Sequence, residues 1–263
     1  MLCVMLTERL DEARAALAQL DKQWKGQAAC PISETDGVMS HAFGNVSLSR
    51  HIGPVGIRSV GLHEVVCGHD DGAASVLAWH LAQIGENKCE TGPCGKSVFW
   101  IRQRRAIDQG RFYHLSLPDL ASGPPPLMMT TGQQVTALWA CEEVAKSGQV
   151  ASVILETTDY GLTAARRLQL ACEKAGTRLI VLRRAQQTKR LAPSSALTRW
   201  KIEPSDDRKT NSTGNIHHLS LIGGRGVRPG GWRVEINAAT FSISVVDAME
   251  DRLPSDHVAC VRK

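Results

Sequence analysis

The chain has 263 residues and a mass of 28.6 kDa, enough for one sizeable α/β domain with extensions. Hydrophobic residues make up 43% and charged residues 22%, an ordinary globular balance, and no apolar run has the length of a membrane-spanning helix. The net charge of +5 permits contact with nucleic acid without establishing it.

The apolar start Met1–Leu6 is followed at once by Glu8, Arg9, Asp11 and Glu12, too short and too acidic for a signal peptide, so a cytoplasmic location is expected. Of the eight cysteines, Cys67, Cys141 and Cys172 fall in apolar segments and read as small hydrophobes. Cys89 and Cys94 have no second pair or histidine cluster at zinc-finger spacing, so a plain loop is favoured there.

Leu6, Leu10, Ala13, Leu17, Leu20 and Trp24 recur at alternating steps of four and three, which predicts a helix from Thr7 to Lys25 with a narrow apolar seam. Such a seam fits a partner's groove, a second copy, or the chain's own domain. Residues 26–58, rich in Gly, Ser, Pro and His, read as a linker, and residues 59–237 as the core. Val60–Val66 forms the first core strand, and a helix follows through Val76, Leu77, Trp79, His80, Leu81 and Ile84.

Between them runs Cys67-Gly-His-Asp-Asp-Gly-Ala-Ala-Ser75. Strand, glycine loop and helix is the setting of a phosphate-binding loop, which needs two glycines five apart, a lysine for the phosphates and a hydroxyl for magnesium. Gly68 and Gly72 are four apart, Ala73 stands in the lysine's place, and Asp70 and Asp71 bring negative charge to where a polyphosphate would lie. Ser75 offers a hydroxyl, displaced by one position. This is a degenerate nucleotide loop, and no cofactor is expected. The later Gly95-Lys96-Ser97 is a chance match, because Ser97–Ile101 is β-branched and aromatic and therefore a strand, with no helix dipole to hold phosphate.

Arg102, Arg104, Arg105 and Arg111 cluster after that strand, and Arg183, Arg184, Lys189 and Arg190 after a later one; both groups read as solvated strand-exit loops. A short strand is possible at Tyr113–Leu115, and Ser122–Pro126 breaks regular structure. Strand 127–131, helix 133–147, strand 151–155, a helix from Leu162 and strand 179–182 then make a parallel α/β unit, with Gly148 and Gly176 as helix stops. Asp159 is the expected cap of the helix near Leu162. Leu197–Ile202 alternates like a half-buried strand. His217–Ile222 and Trp232–Asn237 flank a glycine-rich turn that carries Arg225 and Arg228 on flexible backbone. His217 and His218 face opposite ways, Thr240–Val246 is a candidate edge strand, and residues 238–263 form a C-terminal strand and tail.

Thr136-Ala-Leu-Trp-Ala-Cys-Glu-Glu-Val-Ala and Leu162-Thr-Ala-Ala-Arg-Arg-Leu-Gln-Leu-Ala-Cys-Glu resemble the ImuA family, as do the Leu62-His-Glu-Val, Thr198-Arg-Trp-Lys and Gly231-Trp-Arg-Val-Glu segments. The resemblance implies a RecA- and SulA-like α/β core, a mostly parallel sheet flanked by helices, with an N-terminal helix and a C-terminal β extension. It implies a non-catalytic accessory role in SOS-induced translesion synthesis. The partners it implies are an ImuB-like Y-family polymerase homologue, an error-prone replicative-type polymerase and RecA. In RecA-like ATPases an acid near magnesium stands where Glu156 does, but a solvent-facing carboxylate is the favoured reading here. Loops at the edge that carries Arg225 and Arg228 contact nucleic acid or a neighbouring subunit in such folds, and a plain exposed turn is the other reading. The alternatives in function are a DNA-dependent RecA-like ATPase, which the Gly68–Ser75 loop argues against, and a SulA-like cell-division inhibitor.

Overall fold

The computed structural model describes residues 51–52, 57–68, 72–83, 96–108, 126–158, 160–184, 193–205, 215–237 and 242–249. All of them belong to a compact unit spanning Asp36–Lys263, distinct from an amino-terminal unit, Met1–Thr35. The seam helix with Leu6, Leu10, Leu17, Leu20 and Trp24 therefore lies outside the described residues. So do Asp70, Asp71, Cys89, Cys94, the possible strand at 113–115 and the tail beyond residue 249.

In chain order the elements are β1 (Gly61–Cys67), α1 (Ala73–Gln83), β2 (Val98–Gln103), a short α2 (Arg104–Asp108), β3 (Leu127–Thr131), α3 (Gln134–Ser147), β4 (Ser152–Thr157), α4 (Leu162–Ala175), β5 (Arg178–Arg184), β6 (Thr198–Pro204), β7 (Asn215–Gly224), β8 (Gly230–Asn237) and β9 (Ser242–Met249). They build one nine-stranded sheet in the order β3-β2-β4-β5-β1-β6-β7-β8-β9. The pairings from β3 to β6 are all parallel. Those from β6 to β9 are antiparallel.

The apolar runs explain this layout. β1, β4 and β5 are buried at every residue, as strands covered on both faces must be. On one face α1 packs Ala74, Leu77 and Leu81 against Val65, Ile154, Ile180 and Leu182, and Trp79 stacks on Trp100 of β2 at 6.4 Å. On the other face α3 and α4 press Ala137, Cys141, Leu168 and Cys172 onto Leu62, Val153, Leu155 and Val181. Burial of the two thiols pushes the pKa of Cys141 well up and that of Cys172 up to about 12, so both act as apolar filler.

Gly148 and Gly176 end α3 and α4 in the left-handed conformation, at φ 62° and 69°. Gly161 stands at the N-cap of α4 with no side-chain hydrogen bond, and the expected cap Asp159 lies outside the described residues. Beyond β5 the pattern changes to alternation: β6 buries Thr198, Trp200 and Ile202 and leaves Arg199, Lys201 and Glu203 partly exposed. His217 is buried and His218 partly exposed, in keeping with opposite faces. No helix among the described residues is long and apolar enough to cross a membrane.

Candidate functional site

The carboxyl ends of β1, β2, β4 and β5 meet the start of α1, the place where open parallel sheets bind ligands. The glycine loop reaches it through Gly68 and Gly72, and the Gly72 carbonyl accepts the backbone N–H groups of Ser75 (3.0 Å) and Val76 (3.3 Å) to open the helix. Ala73, where a phosphate-binding lysine would stand, is buried in the apolar core. Ser75 is also buried.

Glu156 at the end of β4 is 0% exposed, which corrects the reading of it as a solvent-facing carboxylate. Arg102 Nε donates to its Oε2 at 2.6 Å and Arg184 Nε to its Oε1 at 2.7 Å. Arg184 Nη2 also donates to Ser75 Oγ at 3.2 Å. The solvated strand-exit reading of Arg102, Arg183 and Arg184 is likewise corrected: they are 5%, 4% and 3% exposed. The physical reason is mutual. A carboxylate and a guanidinium that are each costly to bury alone become tolerable when charge-assisted hydrogen bonds hold them together.

The opposite face of the sheet repeats the arrangement. Glu64 of β1, also 0% exposed, accepts on Oε1 from Arg183 Nη1 (3.2 Å) and Arg199 Nη2 (3.1 Å). The Arg183 guanidinium lies 5.8 Å from the Tyr160 ring centroid, and the Tyr160 hydroxyl is 3.5 Å from Ser194 Oγ. Burial, and then the Glu64 carboxylate, push the Tyr160 phenol above its ordinary pKa, so it stays neutral. Consecutive residues of a strand point to opposite faces, and β5 thereby gives Arg184 to one glutamate and Arg183 to the other.

These residues do not fit a magnesium-bound nucleotide. One guanidinium engages both the Ser75 hydroxyl and the Glu156 carboxylate, the two oxygens such an ion would take, and a divalent cation there would also face Arg102. Among the described residues, no three His, Cys, Asp or Glu side chains gather as a metal site.

At the other end of the sheet, His63 of β1 shares Nδ1 with Thr198 Oγ1 (2.8 Å) and donates from Nε2 to the Arg58 carbonyl (3.0 Å). Burial, and then the Arg178 charge, lower its pKa to about 3, so it is a neutral structural imidazole. Nearby, the turn with Arg225 and Arg228 departs from the expected flexible backbone. Gly224 sits at φ 146°, where a Cβ would lie 2.2 Å from the Leu197 carbonyl oxygen, so only glycine fits. Arg225 N donates to that same oxygen at 3.0 Å, and Arg228 N to His51 O at 2.8 Å. Val227 packs on the core between them, while both arginine side chains remain exposed.

The structure thus brings Ser75 together with Glu156, Arg102 and Arg184, and places Arg225 and Arg228 at the opposite edge of the sheet. Sequence reasoning missed the arginine–glutamate sets, because their members lie 28 to 135 residues apart. The available signal was a recurring pattern, in which buried-strand segments end in arginine while neighbouring ones carry a single glutamate.

No protein-family model matches the chain. The chain is 26% identical to Protein ImuA from each of two strains of Caulobacter vibrioides, over 210 residues that cover 75% of this chain and 84% of the relative. This similarity extends over most of both proteins and supports membership of the ImuA family.

Proposed function

We propose that this chain is a non-catalytic accessory protein of damage-induced mutagenesis, built on a RecA-like core whose nucleotide site is closed from within. On this reading it works through protein surfaces, with an ImuB-type Y-family polymerase homologue, an error-prone replicative-type polymerase and RecA as its partners. The observation that carries the reading is Arg184. Its guanidinium bridges Ser75 and Glu156, the hydroxyl and acid that an active nucleotide-binding core would turn to magnesium. Ala73 in the lysine position removes the remaining contact to the phosphates.

Two further observations support the core assignment. A glycine loop follows β1, which lies inside the sheet between β5 and β6, and it opens directly into a helix. The similarity to Protein ImuA supports the mutagenesis setting. The test is equilibrium binding of ATP with magnesium to the full chain, together with phosphate release measured with and without single-stranded DNA. Neither binding nor turnover is expected. Saturable binding with DNA-stimulated turnover would reject the reading in favour of a DNA-dependent ATPase.

A further inference from the structure

The edge of the sheet opposite the glutamate clusters carries a second concentration of arginine, and there the side chains face solvent. Arg58, Arg225 and Arg228 are all exposed. The backbones of Arg58 and Arg225 are tied to the start of β6, and that of Arg228 to His51. The Arg58 carbonyl accepts from His63, whose ring also meets Thr198, the first residue of β6. Arg225 N bonds to Leu197, one residue earlier. Arg228 N bonds to His51, whose ring Nδ1 lies 3.0 Å from the Pro229 carbonyl.

The charge on this edge is poorly matched from within the chain. Among the described residues Arg58 and Arg228 have no ion-pair partner, and Arg225 meets only Glu173 at 3.8 Å, with 63% of the Arg225 side chain exposed. A buried arginine finds a carboxylate everywhere at the carboxyl edge of this sheet; these three do not. Pinning the turn also lowers the entropic cost of using them, because the backbone is already ordered and only side-chain freedom remains to be lost.

We propose that this edge is a docking surface for duplex DNA, held through its phosphate backbone without base readout. Guanidinium groups match phosphate oxygens in geometry and charge. Duplex is favoured over single-stranded nucleic acid because, among the described residues, no stacking platform accompanies the arginines: Trp200 and Trp232 are buried, and the His51 ring is spent edge-on against Trp232 at 5.1 Å. The surface is independent of the nucleotide reading, since it shares no residue with Ser75, Glu156 or Arg184.

The experiment is fluorescence anisotropy of a short labelled duplex with the full chain, titrated with salt, alongside a single strand of the same sequence. Binding is expected at about 50 mM salt and should weaken steeply as salt rises. The triple variant Arg58→Ala, Arg225→Ala, Arg228→Ala should bind at least about tenfold more weakly. The slope of log affinity against log salt should flatten by about 0.9 for each phosphate contact removed. Replacing the same three residues by lysine should keep most of the affinity. Should the triple alanine variant not fold, Arg228→Glu alone tests the same surface at one exposed position. No duplex binding at low salt, unchanged affinity in the alanine variant, equal loss in the lysine variant, or tighter binding to the single strand would overturn the proposal.

Discussion

The substitution Glu156→Gln tests how the carboxyl edge is held together. Glutamine keeps the size of the side chain and removes its charge, so Arg102 and Arg184 lose the carboxylate that offsets their burial. Both hydrogen bonds at stake are short and charge-assisted, at 2.6 and 2.7 Å, and the carboxylate has no exposed surface through which water could compensate. Hydrogen bonds of this kind contribute about 1.5–3 kcal/mol each. Breaking a buried ion pair by removing one partner costs about 3–5 kcal/mol. Against a total stability of about 5–15 kcal/mol, that is about a fifth of the margin or more.

Urea titration followed by circular dichroism should therefore move the midpoint of Glu156→Gln sharply downward. A companion variant removes all three charges, as Arg102→Met, Glu156→Leu and Arg184→Met. It should recover much of that loss, because a whole buried set replaced by apolar groups is often neutral or stabilising. Glu156→Gln within about 1 kcal/mol of the wild type would refute the reasoning. So would a triple variant less stable than the single one, because each outcome implies that the charges are solvated or held by other groups.

Two other perturbations follow from separate features. His63 binds no proton in the native protein until about pH 3, whereas the unfolded chain takes one up near pH 6.5. Its contribution is thus complete above about pH 6.5 and is lost as pH falls toward 3, with a limiting slope of about 1.4 kcal/mol per pH unit. His63→Gln should flatten the fall in urea midpoint between neutral pH and about pH 4.5, and an unchanged fall would rule out His63 as its source. In the amino-terminal unit, Leu10→Glu with Leu17→Glu should abolish co-purification with the polymerase homologue while leaving the melting curve of the core in place. Undiminished co-purification would remove the seam from the interface.

The parallel half of the sheet was legible in the sequence because its strands are short apolar runs without alternation, separated by helices with glycine stops. β6 was legible for the opposite reason, since Thr198, Trp200 and Ile202 alternate with polar residues. What could not be read was the fate of the charged residues at the strand ends. A glutamate at the end of an apolar run looks solvent-facing when its environment is judged from its sequence neighbours alone. Glu156 is buried because Arg102 and Arg184 arrive from strands on either side of β4, and nothing local in the chain announces that meeting. The turn at Arg225 was misjudged for a related reason. Its glycines suggest looseness, while the contacts that fix Gly224 and Arg225 come from Leu197.

The placement of Arg183 and Arg184 side by side has a consequence for how β5 finds its alignment. Slipping a strand by one residue normally sends apolar side chains to the wrong face and charges into oil. Here a one-residue slip changes little in the middle of the strand, where Leu179, Ile180, Val181 and Leu182 are all buried and aliphatic, and shows only at its ends, where Arg178 or Arg183 would enter an aliphatic position. The aliphatic run by itself therefore cannot choose the correct pairing. That choice falls to the ends of the run, and above all to the beginning of the strand. There Thr177 donates from its backbone to Cys172 and from its hydroxyl to Ala145, and Arg178 reaches the Leu81 carbonyl at 3.1 Å. Threonine and arginine differ too much in length to trade places, so these two residues act as the alignment mark from which the rest of β5 is laid down.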